Sequence, residues 1–417
     1  AGAGLTSLFG DVEMPLERVL FGMERCGVRI DSEVLASLAR EIDKKLKDLI
    51  EGIYGAAGEA FNINSPKQLA EVLFQKLRLP VVKKTKTGFS TDEEVLTKLS
   101  DRHELPKALL EYRQLTKLKT TYVDVLPGLA DADGRVHTSF NQTGTETGRL
   151  SSSDPNLQNI PTKTPMGRRI REAFVPAKEY ARLLSADYSQ IELRVLAHLS
   201  GDDVLAEAFR KDVDIHRTTA ALIFNTDEAG VTDEMRENAK RVNFGIIYGM
   251  SPYGLAKDLN IDPRTAETFI DEYFLRYPRV KSYLEGQIEF VREHGYVTTL
   301  LGRRRYIPEA QNTNFAVRQF AERQAVNAPV QGSAADLIKM AMVRIDRRLK
   351  EEGLRSRLIL QVHDELVFEM AKKDESALPE LVREEMEGVM SLRVPLKVAL
   401  KAGPDWSHMD GWTLKEP

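Results

Sequence analysis

A single cysteine, Cys26, stands among 417 residues, so the chain can form no internal disulfide and suits a reducing compartment. As a small apolar side chain, Cys26 is expected to pack rather than react. No apolar run approaches the roughly 20 residues that cross a bilayer, which argues against a membrane-spanning helix. The opening stretch AGAGLTSLFGDVEMP lacks a basic segment followed by an apolar one, so no secretory signal is expected. Internal repeats and low-complexity segments are also missing. So is an excess of positive charge: the net charge is −4, which on its face argues against a nucleic-acid partner.

Net charge hides clustering. Lys76, Arg78, Lys83, Lys84 and Lys86 lie in one stretch without an acid. The segment KTPMGRRIR (Lys163 to Arg171) is also free of acids, and LGRRRY adds Arg303, Arg304 and Arg305. Such runs are ordinarily solvated faces. Several acid-free basic segments in an acidic chain point instead towards a phosphate-binding groove. With 42% hydrophobic and 29% charged residues, the chain reads as soluble and globular. Its length allows two or three lobes at about 150 residues each.

Helical spacing dominates from about Ser32 to Tyr122. In SPKQLAEVLFQKL a serine precedes a proline, the pattern of an N-cap followed by the first helical position. The basic, glycine-containing stretch PVVKKTKTGFS interrupts these helices. Near Asp131 the composition turns to Gly, Ser, Thr, Asn and Pro, mixing strand and turn signals. ARLLSADYS reads as a strand and QIELRVLAHLS as the helix after it. Helices return from about Asp202 to Arg348. RLILQVHDELVFEM and VPLKVALKAGPDW read as strands on either side of a final helix. The simplest arrangement is a central antiparallel sheet assembled from distant segments, with two helical insertions rising from it. That is an α+β fold.

In LILQVHDELVFEM, two acids interrupt a run that otherwise reads as buried strand. A tight turn at His363–Asp364 would put Asp364 and Glu365 at the tip of a hairpin. A plain polar turn explains that stretch equally well. Asp187, at a strand end in LLSADYSQIEL, favours the functional reading. Carboxylates gathered from separate strands repel each other unless a cation lies between them. Mg²⁺ suits such a site, since it takes oxygen ligands and often uses one or two carboxylates plus substrate phosphates. In RENAKRVNFGIIYGM, Arg236, Lys240, Phe244 and Tyr248 recur every four residues. Each step drifts only about 40° around a helix, so all four share one broad face. Two cations followed by two aromatics match a nucleoside triphosphate laid lengthwise, phosphates on the cations and base on the rings. The other reading makes Phe244 and Tyr248 core residues.

DYSQIELR (Asp187 to Arg194), RENAKRVNFGIIYG (Arg236 to Gly249) and QVHDE (Gln361 to Glu365) resemble, in order and spacing, the signature motifs of the family A DNA polymerases. TGRLSSSDPNLQNIP (Thr147 to Pro161) and PVQGSAADLIK (Pro329 to Lys339) are similar to that family too, so the resemblance covers essentially the whole chain. It implies the polymerase portion of a right-hand fold. Residues 1–31 would lead into the palm, 32–125 form the thumb, 126–202 the first part of the palm, 203–340 the fingers and 341–417 the rest of the palm. It implies template-directed DNA synthesis with two Mg²⁺ ions, for which Mn²⁺ can substitute. Asp187, Asp364 and the Tyr188 carbonyl would hold the metals, with Glu365 a supporting acid. Arg236, Lys240 and His216 would hold the triphosphate. Phe244 would pack on its base and sugar, and Gln190 would line the same site. Tyr248 would stack near the template base and move as the fingers close. Glu192 would lie under the sugar and exclude a 2′-hydroxyl, unless it is an ordinary exposed helical glutamate.

By the same resemblance, Arg149, Gln331, Asn327 and His363 lie near the primer terminus, where donors can reach minor-groove acceptors. Lys163, Arg113, Lys117, Lys84 and Lys86 are candidates for backbone phosphates. The implied partners are primer–template DNA and deoxynucleoside triphosphates, and the implied form is a cytoplasmic monomer associated with the bacterial nucleoid. Full-length relatives carry nuclease domains before the polymerase. Asp11 and Glu13 are too few acids to rebuild one, so neither proofreading nor 5′-nuclease activity is expected. Arg241 receives no role. A metal-dependent nuclease would use the same carboxylates but has no need of the Arg236–Tyr248 face. A non-catalytic DNA-binding derivative predicts lost acids, yet Asp187 and Asp364 are present. Glu192 and Phe244 favour deoxynucleotides over the substrates of an RNA polymerase.

Overall fold

An antiparallel sheet built from segments far apart in sequence lies at the centre of the chain; the computed structural model describes residues 4–86, 88–162 and 164–412. Strands β1 (Arg182–Tyr188), β2 (Arg357–Val362), β3 (Glu365–Met370), β4 (Val398–Gly403) and β5 (Asp410–Gly411) lie in the spatial order β2-β3-β1-β4-β5. Every neighbouring pair is antiparallel. Side chains alternate between the two faces of a strand. Leu184, Ala186, Leu366 and Phe368 enter one hydrophobic core, whereas Leu183, Ile359, Val362 and Val367 enter another. Both faces of the sheet are therefore covered, which is why these strands read as unbroken apolar runs rather than alternating ones.

Register brings the acids to one end of this sheet. Asp187 stands directly opposite Glu365 on β3 and opposite Ala399 on β4. Only His363 and Asp364 link β2 to β3, so the expected tight hairpin is present. His363 takes the left-handed conformation that such a short link demands, with φ of 55°.

Helix α1 (Met14–Cys26) runs into a first helical lobe made by α2 (Ser32–Ala57) and α3 (Glu104–Leu118). Asp31 caps α2 by accepting from the Glu33 and Val34 amides, and Ser65 caps the short helix that begins at Pro66, as its sequence predicts. Near the sheet, Leu35, Leu38 and Ile42 share the sheet's core; farther out, Ile53, Leu105 and Leu109 build a separate one. The basic loop is a two-stranded hairpin, Lys84–Thr85 against Gly88–Phe89, with Lys84 and Lys86 exposed.

The second lobe contains α4 (Ile191–Ser200), which leaves the end of β1 directly, then α5 (Ile215–Ile223), α6 (Asp233–Ile247) and α7 (Phe315–Glu351). α6 ends where Gly249 adopts a φ of 63°, a left-handed residue that stops the helix. A side chain there would press on Arg323 of α7, 3.2 Å away. α7 is 37 residues long and continuous through residue 340, so the division expected between 340 and 341 falls within a helix. Across the cleft the two lobes touch where Lys257 pairs with Glu94 at 2.8 Å. No described helix is long and apolar enough to cross a membrane.

Candidate active site

The motif residues converge where the sheet meets the second lobe. A cavity of about 350 Å³ is lined by Asp187, Tyr188, Gln190, Ile191, Glu192, His216, Arg236, Lys240, Phe244 and Asp364. These residues come from the end of β1, the start of α4, the hairpin tip, and the facing sides of α5 and α6. A backbone bond ties the two acid-bearing segments together: the Tyr188 amide donates to the Asp364 carbonyl at 3.1 Å. The Tyr188 hydroxyl is buried and donates to the Met386 carbonyl, so its ring anchors the strand end. Gln190 holds a left-handed backbone, φ 54°, at the junction of β1 and α4. That is an uncommon conformation for a non-glycine residue, and nothing in its sequence context signals it. Gln158 braces the hairpin from outside, donating to Gln361 Oε1 at 2.9 Å, while Gln361 donates to the His363 carbonyl at 2.5 Å.

The acids differ in what they touch. Glu365 Oε1 accepts from Ser185 Oγ at 2.6 Å and from Trp406 Nε1 at 3.1 Å. Arg171 lies over the Trp406 ring at 3.8 Å and comes within 4.0 Å of Glu365. Glu365 is thus held in place by protein groups. Asp187 has no such partners among the described residues. Burial between the cleft walls, then the charges of Glu365 and Asp364, push its pKa up to about 7, with Lys401 opposing. Burial likewise raises Asp364, against the pull of Arg149 and His363.

On the opposite wall, Arg236, Lys240 and Phe244 share one face of α6, as the four-residue spacing predicts, and Tyr248 caps the helix end. Arg236 Nε donates to Asp214 Oδ2 at 2.7 Å. Asp214 also caps α5 through its other oxygen, accepting from the His216 and Arg217 amides. Asp214 escaped the sequence reading, although Asp two residues before His in DIHR is a recognisable capping signal. Lys240 has no hydrogen bond or ion pair among the described residues. The rings of His216, Phe244 and Tyr248 follow one another at centroid distances of 6.0 and 6.2 Å. Phe244 is only partly buried and Tyr248 is 37% exposed, so neither is a plain core residue.

Glu192 is 4% exposed, which removes the reading of it as a solvated helical glutamate. It accepts from Arg149 Nη2 at 2.6 Å and from the Tyr248 hydroxyl at 2.9 Å. Burial raises its pKa, with Arg149 opposing. Arg149 thereby sits between Glu192 and Asp364, the latter 3.9 Å away. Asn327 and Gln331 both lie on α7, and Asn327 Oδ1 is buried with no hydrogen-bond partner among the described residues. His363 is exposed at the hairpin tip. Among the candidate phosphate contacts, Lys84, Lys86 and Lys117 are exposed on the first lobe. Arg113 is half-buried and donates to the Thr91 carbonyl at 2.5 Å, so its guanidinium is already committed there. Lys163 lies outside the described residues. Arg241 points away from the cavity face and donates to the Asp258 carbonyl.

Among the described residues no group of three or more His, Cys, Asp or Glu is placed to hold a metal ion. The donor set is two carboxylates, which matches a hard cation that completes its shell with substrate oxygens. Burial first, and then the neighbouring charges of Glu365 and Asp364, raise the pKa of Asp187, and a cation held beside it would offset both. The residues present therefore fit a divalent cation.

The profile of DNA polymerase family A matches residues 32–408. DNA polymerase I of Caldicellulosiruptor bescii is 52% identical over 400 residues, covering 96% of this chain and 47% of that protein. DNA polymerase I of Bacillus subtilis is also 52% identical, over 96% of this chain and 46% of its own length. This chain thus spans about half the length of these relatives. Among solved structures, the POL domain of Pol1 from M. smegmatis, in complex with DNA primer-template and dNTP, superposes with a TM-score of 0.93 at 46% identity, over 96% of this chain and 71% of that one. Matched in sequence from residue 32 to residue 408 and in fold along nearly its whole length, the chain belongs to DNA polymerase family A.

Proposed function

We propose that this chain catalyses template-directed DNA synthesis, joining deoxynucleotides to a primer 3′-hydroxyl with release of pyrophosphate. The observation that carries the reading is the single cavity in which the Asp187–Asp364 pair meets the cation-and-aromatic face of α6. A nuclease would need the acids alone. In this reading the sheet is the palm, the lobe of α2 and α3 is the thumb, and the lobe of α5 and α6 is the fingers.

Arg236 and Lys240 bind the triphosphate, with His216 beside them. Arg236 exchanges Asp214 for a phosphate oxygen, or holds both, because a guanidinium has five donors. Phe244 packs against the base and sugar. Glu192 excludes a 2′-hydroxyl from the floor of the site, and its partly buried bond to Tyr248 ties that floor to the end of α6. Arg149, Asn327, Gln331 and His363 face the primer terminus. Lys84, Lys86 and Lys117 meet backbone phosphates, and these contacts make binding salt-dependent. Asp187, Asp364 and the Tyr188 carbonyl would hold two Mg²⁺ ions, or Mn²⁺ in their place, and such ions when bound acidify an attacking hydroxyl and stabilise leaving oxygens. We also propose that the chain neither proofreads nor cleaves flaps. Glu13, one of the few acids near the start, is engaged by Lys339 and Arg303 through Oε1 and by Gln142 through Oε2.

Primer extension tests the reading. With a labelled primer–template, Mg²⁺ and four deoxynucleotides, the parent should give template-length product and Asp364→Ala should lose it by orders of magnitude. A parent that binds duplex but adds nothing would overturn the catalytic reading. A primer that shortens would reveal a nuclease centre.

A further inference from the structure

His216 lines the cavity but is not free to choose its tautomer. It sits in the first turn of α5 and is 2% exposed. Asn243, fully buried on α6, faces the ring with Nδ2 2.9 Å from His216 Nδ1. Asn243 Oδ1 accepts from the Thr219 hydroxyl at 3.0 Å, and Thr219 is buried as well. A hydroxyl that donates to the amide oxygen leaves the amide nitrogen to donate to the imidazole. Nδ1 is then an acceptor, and the one proton of a neutral ring lies on Nε2, the nitrogen on the side away from Asn243.

We propose that Asn243 and Thr219 are positioning residues that hold His216 as a neutral imidazole with its proton on Nε2, ready to donate to a phosphate of the incoming nucleotide. This rests on the reading of the cavity as a deoxynucleotide site. The groups facing the ring are Asp214 from its own helix end and Glu237, Arg236 and Lys240 from α6. Burial, opposed by Asp214 and reinforced by Arg236 and Lys240, pushes the ring's pKa down to about 4. The division of labour is physical. Two cations on α6 supply charge, and a third beside them would repel both whenever the phosphates are absent. A neutral donor supplies direction instead, fixed before the substrate arrives and needing no reorganisation when it does.

Long-range proton–nitrogen NMR on the whole chain reads the tautomer directly. The chain has seven histidines, and His216→Gln identifies the relevant signal. The expected result is a ring protonated on Nε2 that does not titrate between about pH 6 and 8. A proton on Nδ1, or a titration in that range, overturns the proposal. Asn243→Asp gives a second readout. A carboxylate at that position accepts from Nδ1–H, so the neutral ring loses its Nε2 proton and only the imidazolium can still donate to phosphate. The ratio of variant to parent KM for deoxynucleotide should therefore climb with pH, by on the order of 10- to 100-fold once the hydrogen bond to a charged acceptor is gone. A ratio that stays flat with pH refutes the coupling. A parent with the Nε2 tautomer that binds no deoxynucleotide overturns the reading of the cavity, and the phosphate donor with it.

Discussion

Glu13 fastens the start of the chain to α7, and removing its charge tests whether that fastening is electrostatic. Glu13 Oε1 accepts from Lys339 Nζ at 2.9 Å and also meets Arg303, whose guanidinium holds Asp336 at 2.7 Å. Gln142 donates to Glu13 Oε2 at 2.6 Å. Lys339 and Asp336 are fully buried. The two carboxylates balance the two cations. Glu13→Gln keeps the shape and deletes one negative charge, leaving Lys339 buried beside a weaker acceptor. Gross attraction between charges at this distance is about 6 kcal/mol at an effective dielectric of about 20. Desolvation offsets part of it, and breaking a buried pair costs about 3–5 kcal/mol net. A second bound agrees: an unpaired lysine can shed its proton, which from an ordinary pKa costs about 4.6 kcal/mol at pH 7. A loss of about 4 kcal/mol is expected. If deprotonation sets the limit, the penalty shrinks by about 1.4 kcal/mol per pH unit. The sign follows because burial depresses Lys339, with Glu13 opposing, so the unfolded chain binds more protons and stability rises with pH. Native-state hydrogen exchange on the amides of α1 and α7 measures the local opening energy without requiring the whole chain to unfold in one step. Lys339→Met added to Glu13→Gln should recover most of the loss. A single variant within about 0.5 kcal/mol of the parent, the ordinary range for surface changes, would refute the reasoning.

Three further outcomes are expected. In metal-free buffer the raised pKa of Asp187, about 7, means the folded state keeps a proton that the unfolded state releases near its ordinary value. Its contribution to stability is therefore lost as pH rises through about 7, and Asp187→Asn should flatten the pH dependence of thermal melts in chelator; parallel curves would sink that assignment. Glu192→Ala should raise ribonucleotide incorporation relative to deoxynucleotide by on the order of tenfold or more, measured in single turnovers, and an unchanged ratio would remove Glu192 from sugar selection. Lys84→Ala with Lys86→Ala should lower the slope of log affinity for primer–template against log salt by about 1.8, and a parental slope would mean that neither lysine meets a phosphate.

The parts of this site that were legible in the sequence are those whose geometry is local. A two-residue link between apolar runs places Asp364 at a hairpin tip, and a four-residue spacing puts Arg236, Lys240 and Phe244 on one side of α6. Both follow from the repeat of a single element. What could not be read depends on partners brought together by tertiary folding. Arg236 meets Asp214 across 22 residues, His216 meets Asn243 across 27, and Lys339 meets Glu13 across 326. No periodicity links such pairs. Local pattern alone leaves open whether Glu192 is exposed, because the burial of its helix almost all round is set by what packs on α4. Tyr248 marks the limit of the helical argument: the spacing continues through it, but the helix has already ended.

How the chain treats its other buried acids shows what is particular about Asp187 and Asp364. Glu369, fully buried on the same sheet, accepts from Arg135 twice at 3.0 Å, from Arg357 at 2.7 Å and from the Ala177 amide at 2.9 Å. Asp336 has Arg303 and Thr299. Glu365 has Ser185 and Trp406. Arginines are at hand near the cleft too, yet Arg149 gives its hydrogen bond to Glu192 at 2.6 Å and stays 3.9 Å from Asp364. Across the cavity, Lys240 has no anionic partner among the described residues. Charge on buried acids of the fold is thus either paired with arginine, as at Glu369 and Asp336, or met by hydrogen bonds, as at Asp374 with Ser356 and the Arg355 amide. It is left unbalanced on both walls of one cavity, acids on the sheet and a cation on α6. Unpaired charge near a protein interior raises the free energy of the folded state. Such a cost persists where something outside the chain relieves it, and a ligand carrying phosphates and divalent cations together would relieve both walls at once.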